Sequence, residues 1–332
     1  MPDILKDLLK QTSRTFYLTL RVLPGAVRPQ IGLAYLLART SDTIADTEIV
    51  PLEQRLKALQ AFRERMLGIH KTPLDFGNLA RRQGSTAEQM LLEKCEISLS
   101  SLRTLPPADL QLVLEVLETI THGQELDLSR FADATAEQVV ALRTATDLDD
   151  YTYRVAGCVG QFWTRICRAH VFPKAKLDDA KLLADGIRFG QGLQLVNILR
   201  DLPADLRKGR CYLPAEGLAA LGLLPGDLLS PANEPKLRPF YSEWLDRAEA
   251  HLAAGWAYTN ALPWRFVRVR LACAWPILIG VKTLARLRAG NVLDPQRSIK
   301  VSRAEVRRII LRSVGYYPWP AAWRNLFVSP RH

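Results

Sequence analysis

Apolar residues recur at three- and four-residue intervals along almost the whole chain, and proline and glycine fall mostly between these stretches. That period buries one stripe of a helix and cannot be satisfied by a pleated sheet, where side chains alternate. The spacing predicts helices near 3–22, ended by Pro24-Gly25, and 29–47, with Pro29 at its start. It predicts others near 51–69, with Pro51 first, and 86–104, ended by Pro106-Pro107. Further helices are predicted near 107–131, 136–171, 175–201, 238–260, 264–290 and 302–314. The fold class is therefore all-α, a helical bundle whose ligand sites lie in a central cavity between facing helices. No linker, low-complexity tract or fixed repeat interrupts the 332 residues, so a single domain over 1–332 is expected.

Two aspartate pairs stand out at one spacing: Asp42 and Asp46 in S-D-T-I-A-D, and Asp201 and Asp205 in R-D-L-P-A-D. Residues four apart on a helix share a face about 6 Å apart along the axis, so each pair can present two carboxylates together. A single such pair is weak evidence, because solvated helix faces carry charges at this spacing routinely. Here both pairs close apolar stretches, I-G-L-A-Y-L-L-A-R-T-S and G-L-Q-L-V-N-I-L-R, and each follows an arginine, Arg39 or Arg200. Hard oxygen ligands of this kind suit Mg²⁺, which is commonly held by one or two carboxylates plus substrate phosphates. The pattern points to a diphosphate gripped by Mg²⁺ from both sides, with the arginines taking up the charge that the metal leaves.

Composition narrows the alternatives. At 48% hydrophobic and 24% charged residues, the chain can bury a large core. Five scattered cysteines (Cys95, Cys158, Cys167, Cys211 and Cys273), with no C-x-x-C spacing, argue for reduced thiols in a cytoplasmic protein and against zinc. No secretory signal is visible, and the longest apolar run, Leu271 to Val281, contains Pro276 and is too short for a membrane span. The net charge of +11 collects toward the C-terminus, from Arg265, Arg268 and Arg270 to Arg307, Arg308 and Arg312, interleaved with tryptophans and aliphatics. A solvated face and a peripheral contact with an anionic membrane both fit it; no nucleic-acid motif accompanies it, and no required protein partner is implied.

Small residues form two further surfaces: Ala156, Gly157 and Gly160, and Gly186, Gly190 and Gly192. Glycine in a helix interior costs up to about 1 kcal/mol relative to alanine, so such clusters need a reason. Close helix packing is one, and a slot for a hydrocarbon tail is the other. Gly190-x-Gly192 lacks the third glycine and the preceding strand of a dinucleotide fingerprint.

Four ordered segments, Q-T-S-R-T-F (11–16), Y-L-L-A-R-T-S-D-T-I-A-D (35–46), Y-x-Y-x-V-A-G-x-V-G (151–160) and Q-L-V-N-I-L-R-D-L-P-A-D-L-R-K-G-R-C-Y-L-P (194–214), resemble squalene synthases within the squalene and phytoene synthase family, over nearly the whole chain. The resemblance implies an isoprenoid-synthase-type fold and Mg²⁺-dependent head-to-head condensation of two farnesyl diphosphates to presqualene diphosphate, followed by NADPH-dependent reduction to squalene. It implies Asp42, Asp46, Asp201 and Asp205 as metal ligands, and Ser13, Arg14, Arg39, Arg200 and Arg210 as diphosphate contacts. Tyr35 and Tyr151 would border the reacting carbons, and Gln194 and Asn197 would organise the polar end of the cavity. Arg207-Lys208-Gly209-Arg210 resembles the flexible, basic, NADPH-facing segment of squalene synthases, so Asn197, Lys208, Arg210 and Lys300 are cofactor-contact candidates.

The first motif reads Asp42-Thr43, as in squalene synthases, where phytoene and dehydrosqualene synthases typically have Asp-Asp. Ala272 replaces the aromatic that precedes the C-A-x-P stretch of eukaryotic squalene synthases, with Trp275 as the candidate substitute, and Ile299 to Arg303 matches the family's basic segment only loosely. The eukaryotic membrane anchor has no counterpart in these 332 residues, whose C-terminal part is an aromatic tail from Tyr316 to Phe327. The alternatives are a non-reductive member making dehydrosqualene, phytoene, presqualene diphosphate or an alcohol, and a non-catalytic assembly protein, which would lack the aspartates. A di-iron bundle would need Glu-x-x-His pairs, and none occurs.

Overall fold

The computed structural model describes residues 3–13, 16–296 and 299–328. Their packing forms two compact units, Met1–Ser129 with Phe162–Ala175, and Arg130–Gln161 with Lys176–His332. Helices dominate both, as the periodicity requires.

In the first unit run α1 (Asp3–Thr12), α2 (Phe16–Val22), α3 (Arg28–Asp46), α4 (Leu52–Leu67), α5 (Gly77–Ala80), α6 (Thr86–Glu93), α7 (Cys95–Leu102) and α8 (Pro107–Arg130). The predicted helix 86–104 is broken at Lys94, whose ψ of 13° leaves the helical range. Helix α3 packs against α1, α4, α6 and α7 and buries Ile31, Leu36, Leu37 and Ile44. Burying that stripe turns Arg39, Asp42 and Asp46 away from it.

The second unit holds α9 (Ala145–Thr152), a π-helical turn at Tyr153–Gly157, the start of α10 (Cys158–His170), and α11 (Asp179–Leu206). Beyond these come α12 (Ala215–Ala220), α13 (Glu234–Ala261), α14 (Val267–Ala289), α15 (Arg303–Tyr316) and α16 (Pro320–Asn325). Helices α12 and α16 are not foreseen by the periodicity, being too short to show one. The helix expected from 136 starts only at Ala145, because Val140–Ala141 (β1) pairs in parallel with Arg210–Cys211 (β2). Thr144 then caps α9: its hydroxyl accepts from the Asp147 amide and the Asp147 carboxylate accepts from the Thr144 amide.

Helix α11 is the centre of this unit, packed on α13, α14 and the π-helical turn. Its glycines serve close packing rather than a slot. A methyl group at Gly190 would lie 2.1 Å from the Ala156 carbonyl oxygen, and one at Gly160 would lie 1.9 Å from that of Gly186. Gly192 meets the α13 backbone at Leu252 in the same way, at 3.1 Å.

The helix also runs past its expected end at 201, straight through Pro203. Proline has no N–H, so the Leu199 carbonyl four residues earlier loses its helical donor. The hydroxyl of Tyr241, a fully buried residue of α13, donates to that carbonyl at 2.8 Å and fills the gap. Burial holds the Tyr241 phenol far above its ordinary pKa, so it stays a donor. Tyr241→Phe should therefore lower the unfolding free energy by about 1–3 kcal/mol, the penalty for an unsatisfied buried carbonyl. In urea titrations, exposed Tyr316→Phe serves as the neutral control.

Candidate functional site

In the first unit, α3 carries Tyr35, Arg39, Asp42 and Asp46 on successive turns. Gln124 of α8 donates its amide to Asp42 at 2.5 Å, while Arg39 lies 3.6 Å from Asp42 and 2.6 Å from Glu88 of α6. Surrounding protein desolvates Asp42 and the Asp46 carboxylate repels its charge, pushing its pKa up to about 6 against the pull of Arg39 and Gln124. The Asp42 side chain nevertheless keeps 48% of its surface open, so water and salt blunt the penalty. Thr43 is buried and donates its hydroxyl to the Arg39 carbonyl at 2.9 Å. The second position of the Asp-Thr motif thus faces packed protein, where a carboxylate would need a partner.

Tyr35 donates to the Thr12 carbonyl at 3.2 Å. Ser13, expected at a diphosphate, is buried and gives its hydroxyl to the Leu9 carbonyl, leaving only its lone pairs for a ligand. Arg14 lies outside the described residues.

In the second unit, α11 carries Gln194, Asn197, Arg200, Asp201 and Asp205. Arg200 forks onto its neighbour Asp201, Nε to Oδ1 at 2.8 Å and a terminal nitrogen onto Oδ2. Asp205 is partly exposed and Asn197 is open to solvent. Tyr151 at the end of α9 stacks on Tyr212 with ring centroids 4.7 Å apart, their hydroxyls 3.4 Å from each other. Phe131 meets Tyr212 edge-on, completing an aromatic corner.

The basic segment after Asp205, expected to be flexible, is tied down. Lys208 donates its amide to the Asp205 carbonyl, Gly209 takes φ 77° and accepts from the Val140 amide, and Arg210 joins β2. Only glycine fits at 209, because a Cβ there would lie 2.2 Å from the Thr135 carbonyl oxygen. Arg207 and Lys208 project as exposed side chains from this fixed turn. Lys300 is exposed, with its carbonyl accepting from Arg286. Trp275, the candidate replacement for the missing aromatic at Ala272, is buried and donates its indole N–H to Ser313 at 2.9 Å.

Periodicity and spacing do not reveal Glu88 and Gln124, which lie 49 and 82 residues from the α3 side chains they hold. Tyr212 lies in R-C-Y-L-P, where neither period nor spacing singles it out.

The donor chemistry fits Mg²⁺. Desolvation first, and the charge of Asp46 second, raise the Asp42 pKa, and a divalent cation bound there would oppose both. Among the described residues no three His, Cys, Asp or Glu side chains gather into a self-contained metal site. Two-carboxylate pairs suit a cation that completes its shell with water and phosphate oxygens.

One pH dependence follows. With a folded pKa raised above the ordinary 3.8, Asp42 carries no ionisation penalty below about pH 4 and a full one above about pH 6. Without metal, Asp42→Asn should therefore raise stability by roughly 1 kcal/mol at pH 8, after discounting for hydration, and by little at pH 4. Paired thermal melts at the two pH values test this, and equal shifts would remove the assignment.

Comparison with solved structures defines the class of fold first. The complex of TcSQS with the ligand E5700 superposes with a TM-score of 0.78 at 20% identity, covering 99% of this chain and 96% of the other. This is an all-α isoprenoid-synthase-type fold. The chain belongs to the squalene/phytoene synthase family, whose sequence profile matches residues 9–305.

The chain is 30% identical over 301 residues to a presqualene diphosphate synthase of Rhodopseudomonas palustris, covering 90% of this chain and 92% of the relative. It is 27% identical over 313 residues to a squalene synthase of Schizosaccharomyces pombe, covering 93% of this chain and 64% of that one. It spans 49% of a bifunctional lycopene cyclase/phytoene synthase of Pyrenophora tritici-repentis, so some matched relatives are about twice its length.

Proposed function

We propose that the chain, with 1–332 acting as one domain, condenses two farnesyl diphosphates head to head to presqualene diphosphate and reduces this to squalene with NADPH. The observation that carries the reading is the pair of aspartate couples, each on one helix with a preceding arginine within reach of it. Mg²⁺, when bound, supplies positive charge to the leaving diphosphate. Asp42, Asp46, Asp201 and Asp205 would hold it, and Arg39, Arg200 and Arg210, with Ser13 and Arg14, would bind the phosphate oxygens.

For Arg39 and Arg200 this means exchanging an existing carboxylate partner for phosphate, a like-for-like swap of charge-assisted hydrogen bonds. Tyr35 and Tyr151 would border the reacting carbons. A phenol there can hydrogen-bond the departing diphosphate or accept the proton lost when the cyclopropane closes. Gln194 and Asn197 would order the polar end, and apolar walls would keep water from the allylic cation.

Reduction is supported by Arg207 and Lys208, exposed on a turn fixed directly after Asp205. With Asn197, Arg210 and Lys300 they would meet the cofactor's phosphates. A second reading, in which the reaction stops at presqualene diphosphate, is favoured by the end-to-end match to the Rhodopseudomonas palustris relative.

Incubation with farnesyl diphosphate and Mg²⁺, with and without NADPH, separates the two. Squalene and NADPH consumption are expected; presqualene diphosphate forming unchanged by NADPH would establish the second reading. Asp201→Asn should lower turnover at least a hundredfold with wild-type helicity by circular dichroism, since an amide lacks the anionic oxygen that Mg²⁺ favours. Near wild-type turnover at saturating Mg²⁺ would overturn the metal assignment.

A further inference from the structure

The basic, aromatic C-terminal third separates into an inner and an outer layer. In the inner layer Arg270 is buried, with its guanidinium 4.5 Å from the Trp264 ring centre and 5.3 Å from that of Trp323, and it donates to the Asn260 and Leu262 carbonyls. Trp323 is fully buried and Tyr317 donates to the Trp264 carbonyl. Arg270, Tyr317 and Trp323 are core, while Trp264 keeps 37% of its surface exposed.

The outer layer is the other side of α15. The helix is fixed inward by Trp275 on Ser313 and by Lys282 and Arg286 on Glu305. With its inner face committed, Arg307, Arg308, Leu311, Arg312 and Val314 are left on the exposed one. Leu311 is 73% exposed, Val314 50%, and Trp319 just beyond the helix 62%. Glu305 is the only acidic residue in 303–328, and it is occupied by the two cations of α14. The outer charge is therefore purely positive: Arg303, Arg307, Arg308, Arg312 and Arg324.

We propose that this outer face of α15, with Trp319, docks on an anionic lipid surface. Large apolar side chains at the level of an arginine belt match the two zones of a membrane interface, acyl chains beneath anionic headgroups. An acidic protein surface would meet the arginines but offer nothing to Leu311 and Trp319, and a nucleic acid would prefer aromatic rings arranged to stack bases. Tyr316 instead lies under Arg312, 5.6 Å from its guanidinium. The inference concerns a surface only and holds whichever product the chain makes.

Sedimentation of the full chain with vesicles tests it. Binding is expected to vesicles of phosphatidylcholine with phosphatidylglycerol, to be weak to phosphatidylcholine alone, and to fall between about 50 and about 500 mM salt. Arg307→Gln, Arg308→Gln and Arg312→Gln together should lower partitioning on the order of a hundredfold, since each arginine near such a surface contributes roughly fivefold. Leu311→Glu should lower it about tenfold, and Leu224→Glu, equally exposed but in another part of the unit, should leave it unchanged. Circular dichroism verifies that each variant is folded. Absence of binding at low salt overturns the proposal, as does equal loss with Leu224→Glu. Binding to polyglutamate as tight as to anionic vesicles and insensitive to Leu311→Glu would assign the face to an acidic polypeptide instead.

Discussion

The hydroxyl of Tyr241 on the Leu199 carbonyl lets α11 pass through a proline without ending. Asp205 lies two residues beyond that proline and four beyond Asp201, so a helix that stopped at 201 would present one carboxylate instead of two. The bond requires α13 to lie close to α11, and glycines on both helices permit that approach. Gly192 lies against the backbone of α13, and Gly255 lies against Phe189 of α11. On the other side of α11, Gly190 lies against the π-helical turn at Ala156, and Gly160 of α10 lies against Gly186 of α11. Small residues that suggest space in a sequence are here the places where space has been removed.

The two acidic pairs sit in different electrostatic settings. Burial, and after it the charge of Asp46, raises the Asp42 pKa to about 6, while Arg200 is paired with Asp201. The first is destabilised by its own uncompensated charge, and the second has its charge met by an arginine. Gln124 and Glu88 contribute by orienting Asp42 and Arg39 from neighbouring helices, which limits the rotamers the α3 face must lose on binding.

The C-terminal arginines carry the same formal charge and do opposite things. Arg270 is taken out of water, its cost met by carbonyls and aromatic faces, and it knits α13, α14 and α16 together. Arg307, Arg308 and Arg312 keep their hydration and leave a positive field outside. Five cysteines likewise end as buried thiols; burial pushes Cys95, Cys158 and Cys211 up to about 12, which keeps them unreactive.

Sequence by itself determined the all-α class, most helix positions, and the four aspartates with their arginines, because helical period and i,i+4 spacing are local properties that survive without neighbours. Helix ends were less legible: α11 outran its expected end because its missing hydrogen bond is supplied by a residue about forty positions away. The helix from 136 was shortened by a two-residue ladder to 210–211, which no local pattern signals. Tertiary structure alone decided that the glycines close a contact, that the segment after Asp205 is a hydrogen-bonded turn, and that Gln124 and Glu88 reach Asp42 and Arg39. It also sorted the C-terminal arginines into core and surface. The physical reason is common to all of these: burial, carbonyl satisfaction and charge pairing depend on which distant backbone arrives alongside, and composition and spacing are silent about that.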